Sequence, residues 1–261
     1  MRRFVVLLAA AAALLSAETK AERGKRIADE ALAALGGQNF LDMKDRIESG
    51  RAYSFYRERL TGLALAKIYT RYLTPQPNAL TVRERESFGK NEDSVVLFLE
   101  KEAYQLTYRG AKPIVGDRLV RYRESTLRNV LYIFHQRLQE PGLTFESQGS
   151  DIFANTPVEV VDIIDAENRT TTVYFHRRTK LPVRQVFYRR DPETKERIEE
   201  VTLFTKFRDV GNGVQWPFNI LRERNGEKIF EIFSDSVVIN QNLTDELFTL
   251  PANTKMLKPE K

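Results

Sequence analysis

A run of short alternating segments from Val158 to Pro251 limits this chain to a curved antiparallel sheet. Its clearest joint is Asn225-Gly226. Both central residues of a type I′ turn take positive φ, and Asn-Gly accepts that at least cost. A two-residue turn fixes the pairing that follows. Arg224 is expected opposite Glu227, Glu223 opposite Lys228, Leu221 opposite Phe230, Phe218 opposite Phe233, and Trp216 opposite Asp235. One face of the hairpin then carries Trp216, Phe218, Ile220, Ile229 and Phe233. The other carries Leu221, Phe230 and Ile232 among polar residues. Apolar residues on both faces predict a sheet covered, at least in part, on both sides. Segments 158–165, 170–176, 183–188 and 201–208 repeat the alternation, with Val, Ile, Thr and aromatic side chains that suit a pleated surface.

The start of the chain predicts an address. Met1-Arg2-Arg3 precedes an apolar run from Phe4 to Leu15, and Ser16-Ala17-Glu18 follows. A basic start, a short apolar core and a small-residue end form a secretory signal peptide, expected over residues 1–17. The alternative is an uncleaved anchor, but the run is shorter than the roughly 20 residues that span a bilayer. With no cysteine there is no lipid attachment site at the mature N-terminus and no disulfide. Export to the periplasm as a soluble protein is the expectation. Residues 18–261 contain neither a linker-like stretch nor an internal repeat, so one domain is expected. The 41 basic and 36 acidic residues give +5, which becomes +3 once Arg2 and Arg3 are removed. The basic residues alternate with acids and form no stripe, so no nucleic-acid partner is expected.

Residues 19–35 predict an amphipathic helix, with Ile27, Ala31, Leu32 and Leu35 near helical spacing and Gly36-Gly37 as its stop. Asn39 is placed as the cap of a short turn from Phe40 to Lys44. Strands are expected over 46–56, 62–73, 79–88, 95–99 and 104–108. Residues 114–138 predict the main helix, ended by Pro141-Gly142. Within it Leu127, Val130, Leu131, Phe134 and Leu138 form one apolar stripe.

Two segments resemble a known superfamily. Val173-Tyr174-Phe175-His176, the charged turn Arg177 to Lys180, and Leu181-Pro182-Val183-Arg184 are similar to a strand, turn and strand of the LolA/LolB-like lipoprotein carriers. The ending, Val237 to Asn242 followed by Asp245-Glu246-Leu247-Phe248 and Pro251, is similar too. Lys180 stands where that pattern often has glycine. The likeness is clear over the C-terminal segments and reaches the earlier half only in outline. It implies an α+β fold, mainly antiparallel β: a LolA-like incomplete, half-closed barrel with an N-terminal helix and a helical lid. It also implies a carrier or binding protein for a lipid or the acyl chains of a lipoprotein. The alternative is an envelope sensor or protein-interaction module of the same fold, contacting an envelope membrane protein or complex. Trp216, Phe218, Ile220 and Phe233 are placed on the concave apolar wall. The stripe Leu127, Val130, Leu131 and Phe134 either faces the cavity as a lid or packs as ordinary core, the latter being favoured.

No nucleophile elbow, phosphate loop or dinucleotide fingerprint is present. His135 and His176 have no second ligand at metal spacing. Glu199 with Glu200, and Asp162 with Asp165, are carboxylate pairs better explained as strand and turn residues than as acid–base couples. Neither an enzyme nor a cofactor or metal is expected.

Overall fold

The computed structural model describes residues 18–77 and 79–259, so the expected signal peptide lies outside the described residues. The first half of the chain lays down β1 (Asp45–Tyr56), β2 (Arg59–Tyr72), β3 (Val82–Phe88), β4 (Ser94–Phe98), β5 (Ala103–Thr107) and β6 (Gly110–Pro113). The second half lays down β7 (Thr144–Phe153), β8 (Thr156–Ile164), β9 (Thr170–His176), β10 (Pro182–Arg190), β11 (Arg197–Asp209), β12 (Gln215–Arg224) and β13 (Glu227–Ile239). These thirteen strands among the described residues form one sheet in the order 6-5-4-3-2-1-13-12-11-10-9-8-7. Every pairing is antiparallel, and only β13 to β1 joins strands distant in sequence. The edges, β6 and β7, do not pair with each other, so the barrel stays open. The chain crosses from one edge to the other through α3 (Asp117–Leu127), α4 (Val130–Tyr132) and a π-helical turn (Ile133–Arg137).

The N-terminal helix, α1 (Lys20–Leu35), begins with a reciprocal cap between Thr19 and Glu22 and stops at Gly36, at φ 124°. The short α2 (Gln38–Leu41) follows, with Gly37 at its cap and the expected cap residue Asn39 inside it, donating to the Asn212 carbonyl at 2.8 Å. Ile27, Ala31 and Leu35 join the main core cluster with Phe134, Phe175 and Phe204. A Cβ on Gly24 would sit 2.5 Å from the Phe145 carbonyl oxygen, so glycine lets the helix lie against β7. Lys180 adopts φ 63° in the β9–β10 turn, and its ammonium pairs with Glu30 of α1 at 2.7 Å. The residue that departs from the superfamily pattern thus ties the turn to the helix.

The outer face of the sheet is covered at one end. Tyr69, Val95, Leu97 and Leu106 pack there against Leu247 and Phe248 of a 3-10 turn (Asp245–Phe248). That C-terminal segment covers β2, β4 and β5, not the Asn225-Gly226 hairpin that carries the two-faced apolar pattern.

Two expectations are corrected. The single helix over 114–138 is broken at Arg128-Asn129. Asn129 is extended (φ −72°, ψ 124°), and its side-chain oxygen accepts from the backbone N–H of Leu131 and Tyr132. An Asn side chain competes with helical bonding and restarts the helix as a cap. The Asn225-Gly226 hairpin is also corrected. Arg224–Glu227 and Glu223–Lys228 pair as expected, but a bulge follows. Phe230 then lies opposite Arg222 instead of Leu221, and Phe233 opposite Asn219 instead of Phe218. One extra residue in one strand turns the rest of that strand over relative to the pattern.

Candidate ligand cavity

The inner face of the sheet and α3 enclose a cavity of about 480 Å³. One part of its wall is apolar: Trp216, Ile220, Ile229, Phe230, Ile232 and Ile68. Ala52, Ala66 and Ile232 make a closed patch of small and branched side chains where β1, β2 and β13 run side by side. The helical side contributes Arg118, Tyr122, Ser125 and Leu131. No residue of α3 is fully buried; Tyr122 stacks on Phe98 with ring centres 3.6 Å apart, and Arg123 donates to the Glu100 carbonyl at 2.9 Å.

The rest of the wall is an array of acids and arginines. The Arg46 guanidinium donates to Glu48 at 2.9 Å and to Thr70 at 2.8 Å, all three buried. Glu200 accepts from Arg189 at 2.9 Å and from Arg224 at 3.0 Å. Glu84 and Glu86 alternate with Arg83 and Arg85 on β3, so period 2 turns both acids inward and both arginines outward. Glu84 and Glu86 are half-buried, open to the cavity beneath α3 and otherwise packed in protein. That burial, followed by the charge of Glu84, pushes the Glu86 carboxyl up to about 8, and burial raises Glu84 as well. Arg222 and Arg46 oppose the shift at Glu84. Tyr122 and Trp216 line the cavity with a phenol oxygen and an indole nitrogen that lack hydrogen-bond partners.

The residues singled out in the sequence divide between several places. Trp216 and Ile220 line the cavity. Phe218 is buried in the main core cluster, and its ring reaches a second recess of about 380 Å³, with the Arg208 guanidinium 4.5 Å from its centre. Phe233 lines the same recess and faces Arg51 across the strand pair, with Tyr53 edge-on at 5.7 Å. Its neighbour Ile232 faces the cavity, so Phe233 points to the outer face, a direct consequence of the bulge. In the crossover, Leu131 lines the cavity, whereas Val130 and Phe134 are fully buried in the main core and Leu127 packs on Leu80, Val82 and Tyr132. His135 stacks on Tyr72 with ring centres 3.9 Å apart and bonds the Met43 carbonyl at 2.8 Å. Burial lowers it to about 4.

The carboxylate pairs noted in the sequence are separated. Glu200 faces the cavity while Glu199 accepts from the Tyr188 hydroxyl at 2.9 Å. Asp162 accepts from Thr172 at 2.6 Å, and Asp165 from Arg169 at 2.7 Å. The inward acids of the cavity are instead Glu84 and Glu86, which the sequence reading does not single out. The signal for them was present in Arg83-Glu84-Arg85-Glu86, where strand periodicity must put two like charges on one face.

No family model and no curated protein matches the sequence. Solved structures do. A domain described as an outer membrane lipoprotein-sorting protein from Vibrio parahaemolyticus is 13% identical, with TM-score 0.59, over 88% of this chain and 97% of that one. A DUF1329 family protein from Desulfovibrio piger is 11% identical, with TM-score 0.58, over 87% and 97%. A LolA superfamily protein from Nitrosomonas europaea is 11% identical, with TM-score 0.52, over 87% and 97%. At these identities the likeness concerns the fold, and the fold of this chain is that of a LolA-like incomplete β-barrel with helices set against its open side.

Proposed function

We propose that this chain is an exported, periplasmic binding protein that carries a lipid or the acyl chains of a lipoprotein in the cavity beneath α3. The observation that supports this reading is the apolar wall of Trp216, Ile220, Phe230 and Ile232 around about 480 Å³. That volume falls within the roughly 300–1,000 Å³ of small-molecule sites. Each methylene withdrawn from water contributes about 0.8 kcal/mol, so a long chain binds without any catalytic group. The weakly buried α3 serves as the gate, with Leu131 beneath it. Phe218, Val130 and Phe134 support the wall from behind. Residues 18–261 act as one unit, a reading supported by the continuous sheet. No reaction and no cofactor is assigned.

The acid–arginine lining supports a second reading, an envelope sensor or interaction module. Glu84, Glu86 and Arg222 would then receive a polar segment of an envelope membrane protein or complex. Native mass spectrometry of the full chain, purified from the periplasm without detergent, decides between them. A co-purifying acyl lipid, reduced in Ile220→Asp but retained in Phe233→Ala, is the expected result. A clean mass with no uptake of added phospholipid or lipopeptide overturns the carrier.

A further inference from the structure

The β1–β2 hairpin reaches beyond its neighbour. Pairing with β3 ends at Ala66, with one further bond from the Gly89 N–H to the Leu65 carbonyl. Residues 59–64 of β2 therefore pair only with β1 and form an arm that is free along its β2 edge, while β1 stays paired with β13 as far as Ser54. Its turn is Arg57-Glu58, at φ 49° and 59°. The arm exposes large apolar side chains: Tyr56 is 64% exposed, Leu60 55%, Leu63 59% and Leu65 52%. Leu63 lies opposite Tyr53, and Leu65 opposite Arg51, which in turn faces Phe233. Directly opposed residues share a face, so Leu60, Leu63 and Leu65 run with Tyr53 and Phe233 as a strip along the outer face, beyond the part that the C-terminal segment covers. Tyr56 and Arg59, opposed to each other, stand on the other face at the tip.

Cations border this strip. The Arg57 guanidinium lies 5.3 Å from the Tyr56 ring, the Lys206 ammonium 5.0 Å from the Phe233 ring and the Arg208 guanidinium 4.5 Å from Phe218. Arg59 is exposed at the tip of the arm, opposite Tyr56. Among the described residues, none of these four has a carboxylate partner. Of the nearby acids, Asp235 faces Arg51 at 3.4 Å and Glu92 faces Lys67 at 3.7 Å. Glu58 in the turn accepts from the Lys228 N–H at 3.1 Å. Glu231, opposite Tyr53 on the strip's own face, accepts from the Asn219 amide at 3.0 Å. Exposed leucines and tyrosines interleaved with unpaired cations match a bilayer interface, where rings and branched chains enter the headgroup zone and cations meet anionic phosphates. A second copy of the chain would bring the same cations against each other and be repelled.

We infer that the β1–β2 arm and its outer strip dock this protein on an anionic lipid bilayer. The surface is separate from the cavity, so it stands whether or not the cavity carries lipid. Vesicle flotation of the full chain, with phosphatidylcholine alone and with added phosphatidylglycerol, tests it. Binding is expected only with phosphatidylglycerol and weakens as salt screens the charges. Arg57→Glu with Arg59→Glu should weaken it by about fivefold or more per cation. Leu60→Ser with Leu63→Ser should weaken it at every salt concentration. Both double variants change exposed positions and should keep the parent's urea midpoint and its cavity ligand. Absence of binding to phosphatidylglycerol vesicles, equal binding to phosphatidylcholine alone, or unaltered binding by both variants overturns the inference. So does a concentration-dependent dimer that the leucine variant abolishes.

Discussion

The guanidinium of Arg46 lies 3.9 Å over the indole of Trp216 while it holds the buried carboxylate of Glu48. One arginine therefore couples the aromatic wall of the cavity to its polar floor. Glu48 is 1% exposed, and its other oxygen accepts from the Ser234 hydroxyl. Arg46→Met would leave a buried acid without its cation, which costs about 3–5 kcal/mol. Urea unfolding should show that loss, and adding Glu48→Gln should restore a large part of it. Simple additivity in the double variant would mean that the pair is not coupled.

Trp216 is the single tryptophan of the chain and lies in the cavity wall. Its emission therefore reports on the cavity wall and on the core that the ring also joins. Titration with a single-chain lipid should shift the emission and saturate, and Ile220→Asp should remove the response. Emission that stays constant while native mass spectrometry records bound lipid would place that lipid elsewhere.

Glu86 makes stability depend on pH in a defined direction. Its carboxyl is raised from 4.5 to about 8 in the fold, so the folded state holds a proton that the unfolded chain releases. The contribution is complete below 4.5 and is lost as pH rises through about 8. Glu86→Gln should keep the low-pH stability and flatten the urea midpoint across that window. An unchanged slope in the variant would assign the pH dependence to other groups.

Gly24 separates two opposing effects. Glycine to alanine inside a helix is ordinarily favourable by roughly 0.5–1 kcal/mol. Here the added carbon would meet the Phe145 carbonyl oxygen at 2.5 Å, with the Glu146 nitrogen at 2.9 Å, both backbone atoms that cannot swing away. Overpacking of this kind costs about 1–3 kcal/mol, so contact should outweigh propensity and Gly24→Ala should lower the melting temperature. A melting temperature equal to or above the parent's would show that α1 can move away from β7.

Glu159 and Arg23 show how such contacts escape sequence reading. They are far apart in the chain, yet the Arg23 guanidinium meets the Glu159 carboxylate at 2.6 Å where α1 crosses β8. No local pattern joins them. The Asn225-Gly226 turn and its first two pairs, by contrast, follow from the φ requirements of a few adjacent atoms. The same is true of the Thr19 cap and the Gly36 stop, which satisfy backbone groups within one helical turn.

Local rules in the sequence thus determined that this chain makes a train of antiparallel strands with one leading helix. Tertiary structure decided which way the strands face. The bulge at Arg222–Glu223 costs little locally, yet it sends Phe233 outward and leaves Phe230 and Ile232 on the cavity. Asn129 breaks the long helix so that Phe134 can enter the core beside Phe175. Glu84 and Glu86 could have faced water as easily as the interior, because an alternating charged strand has no apolar face to choose for it. The neighbours on either side, with Ile68 turned inward on β2 and Phe98 on β4, made that choice and gave the cavity its acidic wall.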